Sequence, residues 1–393
     1  MTEKIYQTQP YVKELETVVT SVEGCKIITE KTIFAPDAGG QPCDLGTLNG
    51  IDVIYVHEEG GIIYHEVAEE KASEFKAGMS VLMSIDWNRR FDHMQNHLGE
   101  HIMSGLFKSV YDADNKGFHL GDEISHFDIA LKNISPDMLQ NIERLANQAV
   151  YDAKPVKVIQ TASADEARTY PLRKEIDIDG DILVVIVEGI DCCACCCPHP
   201  SDTSQVGIIK IVSTEKYKGM TRIYYKCGKR ALYDYEQKHD VISVLNKKYS
   251  ADEFTLLEKI KIADAKNEEQ RKELNKMKDK FADMTADSVL AEAESQNATA
   301  VVREFEFEKL DDLKRIAKKI IAKTDLPVML SSLHEKCVFL THSGKSNLRC
   351  GAVVKEFAVG AGGKGGGSDT QAQVIFNNED TMRNFILIAA ASC

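Results

Sequence analysis

Two short motifs, set far apart in this chain, restrict its fold more than any other feature. The run "DWNRRFDHMQNHLGEHIMSGLF" holds His97 and His101 four residues apart, and "DCCACCCPHPSDTSQVG" holds Cys195 and His199 at the same spacing. Around the first pair, Met94, His97, Leu98, His101, Ile102, Gly105 and Leu106 recur at steps of three and four, the pattern of one helix face. Side chains at i and i+4 share that face, so both imidazoles can reach a single metal ion. The second motif follows the strand-like run "ILVVIVE" and precedes "GIIKIVS", which makes it a loop between strands. Two nitrogens from a helix with a thiolate and a nitrogen from a loop make a mixed donor set that suits zinc. One ion held by all four requires a fold that carries this helix onto the end of a sheet. Three other readings stand beside this one. The histidines can be core residues, the four ligands can be purely structural, and the cysteines can hold an iron–sulfur cluster. Against the cluster, its cysteines crowd into six residues and His199 would be idle.

Bulk properties narrow the class. A chain of 393 residues exceeds one ordinary core, and two or three domains are expected. Hydrophobic residues at 43% and charged residues at 28% are those of a globular protein. No apolar run approaches the roughly 20 residues of a membrane span, and "MTEKIYQTQP" lacks a signal-peptide core. A cytoplasmic location is expected, with no membrane partner. The count of 11 cysteines is odd, and five of them (Cys192, Cys193, Cys195, Cys196 and Cys197) are too crowded for separate disulfides. Thiols used for metal fit better. A net charge of −13 disfavours indiscriminate polyanion binding but leaves room for a local basic surface. The run "KLDDLKRIAKKIIAK" (309–323) is basic, and its simplest reading is a solvated helix face.

The periodicities predict an α+β chain. Residues 1–87 read as an N-terminal β-rich domain, with a hairpin about Gly60-Gly61 and a loop at "PDAGGQPCDLGTLNG". Residues 88–240 read as an α+β zinc-binding domain, with helices at about 86–106 and 138–152 on a largely antiparallel sheet. Residues 241–296 read as a helical linker. In it Leu256, Ile260, Ala263, Asn267, Gln270, Leu274, Met277, Phe281 and Met284 alternate steps of four and three. That is a heptad seam for a coiled coil, within the chain or between chains. Residues 297–393 read as a small α/β domain containing the loop "GAGGKGGGSDTQAQ" and a closing helix from about Asp380.

Several of these segments together resemble one family. "DWNRRFDHMQNHLGEH" is similar to the H-x-x-x-H helix of the editing domain of alanyl-tRNA synthetases and of free-standing alanyl-tRNA editing proteins, the AlaX family. "CCCPHPSDTSQVGIIKI" and "GMTRIYYKCGKRAL" resemble its C-x-x-x-H segment and the strands that follow. "KTIFAPDAGGQPCDLGTL" resembles its Gly-Gly-Gln loop, and "GFHLGDE" (117–123) fits the same pattern. "GGKGGGSDTQAQ" resembles the glycine-rich loop of the C-terminal DHH-associated domain. The departures, Ala35 after Phe34 and Cys196-Cys197-Pro198 where Gly and Thr are common, bear on pocket shape.

The resemblance implies the long, free-standing form, a trans-editing deacylase. It would hydrolyse the aminoacyl ester of tRNA(Ala) mischarged with serine or glycine, using one zinc ion per chain on His97, His101, Cys195 and His199. It also implies a substrate pocket with Thr32, Gly39, Gly40 and Gln41, in which the Thr32 hydroxyl tests the amino acid. Gly363, Lys364, Gly365, Gly366 and Gly367 would contact tRNA, since bare glycine backbone can approach a phosphate and Lys364 adds charge. A homodimer through the C-terminal region is implied as well. His93 shares the helix face but falls outside the ligand pattern. Lys364 is followed by Gly365, which rules out a Walker A loop, and no ATP use is expected. Two alternatives stay open. One is a zinc peptidase of the H-x-x-E-H type with Glu100 as base. The other is a non-catalytic tRNA-binding protein with structural zinc. For a deacylase, Glu100 reads most simply as a solvated carboxylate beside a ligand.

Overall fold

Alternation of apolar and polar residues closes the first segment into a barrel. In the computed structural model, which describes residues 1–176, 180–358 and 360–391, this segment contains six barrel strands. They are β1 (Glu14–Glu23), β2 (Lys26–Thr29), β3 (Gly46–Leu48), β4 (Ile51–Glu59), β5 (Ile62–Val67) and β6 (Ser80–Ile85). They close in the order β1-β2-β5-β4-β3-β6. Val19, Ile27, Leu48, Val56, Ile63 and Met83 fill the interior, and closure leaves no strand edge unpaired. The expected hairpin turns at Gly60 and Gly61, whose φ of +57° and +80° favour residues without Cβ.

Helix α1 (Trp87–Tyr111) begins where Asp86 accepts from the backbone N–H groups of Asn88 and Arg89, and ends at Asp112 in the left-handed region. It is followed by β7 (Asn115–Leu120), β8 (Ser125–Ile129), α2 (Pro136–Tyr151), β9 (Val156–Thr161), β10 (Ile182–Val187), β11 (Asp191–Ala194), β12 (Ile209–Tyr217), β13 (Met220–Cys227) and α3 (Gly228–Tyr249). The strands form two antiparallel sheets, β12-β13-β8-β7 and β9-β10-β11. Leu98, Ile102, Met103 and Phe107 of α1 pack with Ile142 and Ala146 of α2 and with Phe127, Ile223 and Tyr225 of the sheet. The largely antiparallel, mixed architecture agrees with the sequence. Strands β7, β8 and β11 and helix α3 are additions to that reading, because their short or polar runs carry little periodic signal.

The chain divides into two compact units, Met1–Val244 and Leu245–Cys393. The division falls inside α3. The second unit contains α4 (Leu256–Ser295), β14 (Val301–Phe305), α5 (Leu310–Ile321), β15 (Val328–Ser332), β16 (Cys337–Thr341), β17 (Lys364–Gly367), β18 (Gln371–Ile375) and α6 (Glu379–Ala391). Its sheet runs β14-β15-β16-β18-β17, with β14 and β15 parallel and the other neighbours antiparallel.

Three details of this unit refine the sequence reading. The glycine-rich stretch is not all loop, because residues 364–367 form an edge strand on β18. A Cβ at Gly365 or Gly367 would stand 2.1 Å from a carbonyl oxygen of that neighbour. Along α4, Leu274, Met277, Phe281 and Met284 of the heptad seam are exposed. The helix instead buries Ala282, Ala286, Val289 and Leu290 in the core with α5. The basic run is only partly solvated. Arg315 and Lys319 pair with Asp279 and Asp283 at 2.7 and 2.9 Å, and Lys323 pairs with Asp287. Steps of four on both helices build this ladder, leaving Lys314 and Lys318 with no ion pair among the described residues. Among those residues no helix is long and apolar enough to cross a membrane.

Candidate metal centre

The face of α1 that carries His97 and His101 is buried, and each ring is held from behind. His97 donates from Nδ1 to Gln41 Oε1 at 2.8 Å, and His101 from Nδ1 to Asp191 Oδ2 at 2.8 Å. Such bonds fix the tautomer and turn Nε2 toward a common centre. Cys195, which directly follows β11, and His199 come from the distant loop. The Cys195 Sγ lies 3.6 Å from His97 Nε2 and 3.3 Å from His199 Nε2. The donor atoms of His97, His101, Cys195 and His199 all fall within 4.8 Å of one another. Tetrahedral zinc with bonds near 2.05 and 2.3 Å spaces nitrogen and sulfur donors by roughly 3.5 Å, so this donor set fits such an ion in size and chemistry. A hydrogen bond from the Cys197 thiol, with His97 and His199 nearby, holds the Cys195 thiol well below its ordinary range. Burial pushes His199 down to about 4. Both shifts favour the forms that ligate a metal.

Asp191 and Arg173 complete the support. Arg173 donates from Nε to Asp191 Oδ1 at 2.6 Å, and its Nη2 stands 3.4 Å from Oδ2. Burial opposes the Asp191 charge, but the bond from His101 and the Arg173 guanidinium outweigh it and hold the carboxyl below its usual range. Sequence reasoning missed both residues. Asp191 stands four before Cys195, a spacing that could have marked it, whereas nothing in "TYPLRKEI" marks Arg173.

The Gly-Gly-Gln loop reaches the centre from the barrel. Gly40 has φ +82°, and a Cβ there would stand 2.5 Å from the Phe118 carbonyl oxygen of β7. Its own carbonyl accepts from the Leu120 N–H at 2.8 Å. Any side chain at this position moves the loop and takes Gln41 from His97. Gly40→Ala is therefore expected to weaken metal affinity by roughly 10- to 100-fold, the usual effect of losing a supporting partner, as measured by competition with a chelator.

Thr32 lies elsewhere in the barrel, fully buried. Burial pushes His65 down to about 4. Its neutral ring donates from Nδ1 to the Ile27 carbonyl at 3.0 Å and accepts the Thr32 hydroxyl proton on Nε2 at 2.7 Å. Phe34 N–H donates to the same hydroxyl at 3.0 Å. The hydroxyl is thus engaged inside the barrel rather than on the wall of the cavity described next.

A cavity of about 770 Å³ opens over the centre, and Gly39, His97, His101, Cys195 and Phe118 line it together with Glu100 and Arg173. Glu100 is not solvated as the sequence suggested. It is 4% exposed, and Ser104 and Asn115 both donate to its Oε1. In the second unit, a separate cavity of about 490 Å³ is lined by Lys314, Lys318, Thr341, Gly366, Gly367 and Gln371. His93 is buried and lies outside the cluster of four donors.

Comparison with known proteins agrees with this geometry. The family described as threonyl and alanyl tRNA synthetase second additional domain matches residues 182–224, the segment that runs from β10 through the Cys195–His199 loop into β13. The alanyl-tRNA editing protein AlaX-L of Pyrococcus horikoshii is 27% identical over 390 residues, covering 95% of this chain and 94% of that protein. The alanine–tRNA ligase of Pyrococcus abyssi is 30% identical over 386 residues, covering 95% of this chain and 42% of the ligase. The alanyl-tRNA editing protein Aarsd1 of Mus musculus is 30% identical over 254 residues, 59% of this chain and 60% of that one. Over nearly its whole length the chain is thus similar to a free-standing alanyl-tRNA editing protein of the AlaX kind and to part of an alanine–tRNA ligase.

Proposed function

We propose that the protein is a trans-editing aminoacyl-tRNA deacylase that cleaves the ester joining serine or glycine to tRNA(Ala). The convergence of His97, His101, Cys195 and His199 beside the cavity is the observation that carries this reading. The cavity falls within the roughly 300–1,000 Å³ range of small-molecule sites, enough for an amino acid and the sugar that bears it. His97, His101, Cys195 and His199 would hold a zinc ion there, and its positive charge would help to orient the ester. Against the H-x-x-E-H peptidase, Glu100 is buried and its Oε1 already accepts from Ser104 and Asn115. Gln41 and Asp191 hold the two α1 imidazoles in place, and Gly39 borders the substrate. Water adds to the ester carbon, the bond to the ribose oxygen breaks, and the free amino acid leaves the tRNA with its hydroxyl restored.

Parallel incubation with Ser-tRNA(Ala), Gly-tRNA(Ala) and Ala-tRNA(Ala), each with and without a chelator, tests this reading. Hydrolysis of the first two, sparing of the third and inhibition by the chelator are the expected results. Zinc bound without hydrolysis of any ester would leave a tRNA-binding protein with structural zinc.

The second unit is proposed to hold the tRNA through Gly363–Gly367 and the neighbouring lysines. Lys314 and Lys318 border the same cavity as Gly366 and Gly367, and Lys364 on the edge strand is exposed. Reversing Lys314, Lys318 and Lys364 to Glu is expected to weaken tRNA binding and to flatten its salt dependence by about one unit of slope per lost phosphate contact. Turnover of saturating tRNA should change little. Filter binding across a salt series reads the first effect, and single-turnover hydrolysis the second.

A further inference from the structure

Two polar atoms beside the metal donors have no role in the scheme above. Ser104 Oγ and Asn115 Nδ2 both donate to Glu100 Oε1, and Asn115 is itself fixed by the Gly117 N–H on its Oδ1 at 2.8 Å. The other carboxylate oxygen, Oε2, has no hydrogen-bond partner among the described residues. Arg173 commits Nε and Nη2 to Asp191, while Nη1 is buried and has no partner among the described residues. The Arg173 side chain is 5% exposed, and both residues line the cavity that holds His97, His101 and Cys195. For the buried Arg173 Nη1, a polar group left unsatisfied costs about 1–3 kcal/mol, and more when charged. Most such groups in native proteins have partners, and an exception asks for an explanation. An acceptor and a donor, both held rigid from behind and both bordering one cavity, describe the recognition half of a site.

We propose that Glu100 and Arg173 together read the α-aminoacyl head of the substrate, Oε2 of Glu100 accepting from the α-ammonium and Nη1 of Arg173 donating to the ester carbonyl oxygen. The inference rests on the deacylase reading and adds to it the group that is recognised. Every aminoacyl ester carries an ammonium one carbon away from its carbonyl, whatever its side chain, so an acceptor and a donor on one cavity wall can match that pair. Other carboxylates around the cavity serve less well. Glu58 is paired with Lys4 at 2.6 Å, Glu3 with Lys31 at 3.1 Å, and Asp181 is exposed. Asp191 is occupied by His101 and Arg173. Glu100 therefore acts as a specificity residue that demands a free amino group and turns away N-acylated esters.

The full-length, metal-loaded protein is tested with two substrates and two non-hydrolysable analogues. The substrates are Ser-tRNA(Ala) and N-acetyl-Ser-tRNA(Ala). The analogues are 3′-deoxy-3′-(serylamino)adenosine and its N-acetyl derivative. The unaltered protein is expected to cleave the free-amine ester at least tenfold faster and to bind the free-amine analogue at least tenfold tighter. Glu100→Gln, which keeps the size of the side chain, is expected to erase both preferences chiefly through KM, with metal content unchanged. Arg173→Lys keeps a cation for Asp191 and loses the Nη1 donor. It should weaken both analogues alike and leave the free-amine preference in place. A preference that survives Glu100→Gln, or an unaltered protein indifferent to acetylation, overturns the inference. Failure of the deacylase reading looks different, since no ester is then cleaved while the analogue comparison still returns its answer. Should Glu100→Gln lose metal or fold, an effect of Arg173→Lys confined to one analogue would by itself count against the assignment.

Discussion

A chain carrying Cys195→Ala with His199→Ala is expected to lose its metal ion and its deacylase activity together, while tRNA affinity stays near that of the unaltered chain. The two residues supply half of the donor set, and both side chains are spent on the centre. Cys195 Sγ lies within reach of the ring nitrogens of His97 and His199, and the Nδ1 of His199 has no partner among the described residues. Loss of a supporting partner such as Gln41 or Asp191 typically costs roughly 10- to 100-fold in metal affinity or activity. Loss of two direct donors should exceed that range and empty the centre of its ion. Elemental analysis, a single-turnover ester assay and a tRNA-binding isotherm on one preparation separate the three effects. Full turnover in a metal-free double variant would remove the metal from the chemistry. A parallel fall in tRNA affinity would mean that the loop carrying these residues also grips the nucleic acid.

Much of this centre is legible in the sequence because its donors obey local geometry. Steps of three and four along 94–106 imply a helix face, and an i, i+4 pair on that face needs no tertiary information to be read as convergent. The partner loop is legible as well, because Cys195 alone among the five clustered cysteines stands four residues before His199. What stays hidden depends on contacts between segments that no period records. Gln41 is expected in a pocket wall, and its contact proves to be the back of the His97 ring. Thr32 looks free to test a substrate, yet a histidine from another strand, His65, takes its hydroxyl. The heptad seam on α4 is a true periodicity, but Ala282, Ala286, Val289 and Leu290, not Leu274, Met277, Phe281 and Met284, enter the core shared with α5. Helix α3 follows strand β13 without a break, and its exposed Tyr233, Tyr235 and Val244 blur the amphipathic signal that would have announced it.

Asp44→Ala is expected to be among the most destabilising single changes in the first unit, and the reason links the barrel to the metal centre. Arg90 and Asp44 are both fully buried. The Arg90 Nε lies 3.0 Å from each Asp44 oxygen, its Nη2 also donates to Asp44, and further bonds reach the carbonyls of Pro10 and Ile33 at 3.0 and 2.6 Å. Asp44 in turn accepts from the Ala35 N–H at 2.6 Å. The pair thereby clamps both ends of the loop that contains Gly39, Gly40 and Gln41 to α1, about two turns before His97. Removing one member of a buried ion pair strands the other charge and costs about 3–5 kcal/mol. For a unit of this size each kcal/mol lowers Tm by about 2–4 °C, so a fall on the order of 10 °C is expected. Adding Arg90→Leu removes the stranded charge, and the double variant should be less destabilised than the sum of the two single changes. Urea unfolding of the four forms measures that coupling. Because the clamp sets the register of Gln41 against His97, the folded Asp44→Ala protein should also bind metal more weakly. Normal metal affinity in a strongly destabilised variant would show that the loop keeps its place without the clamp.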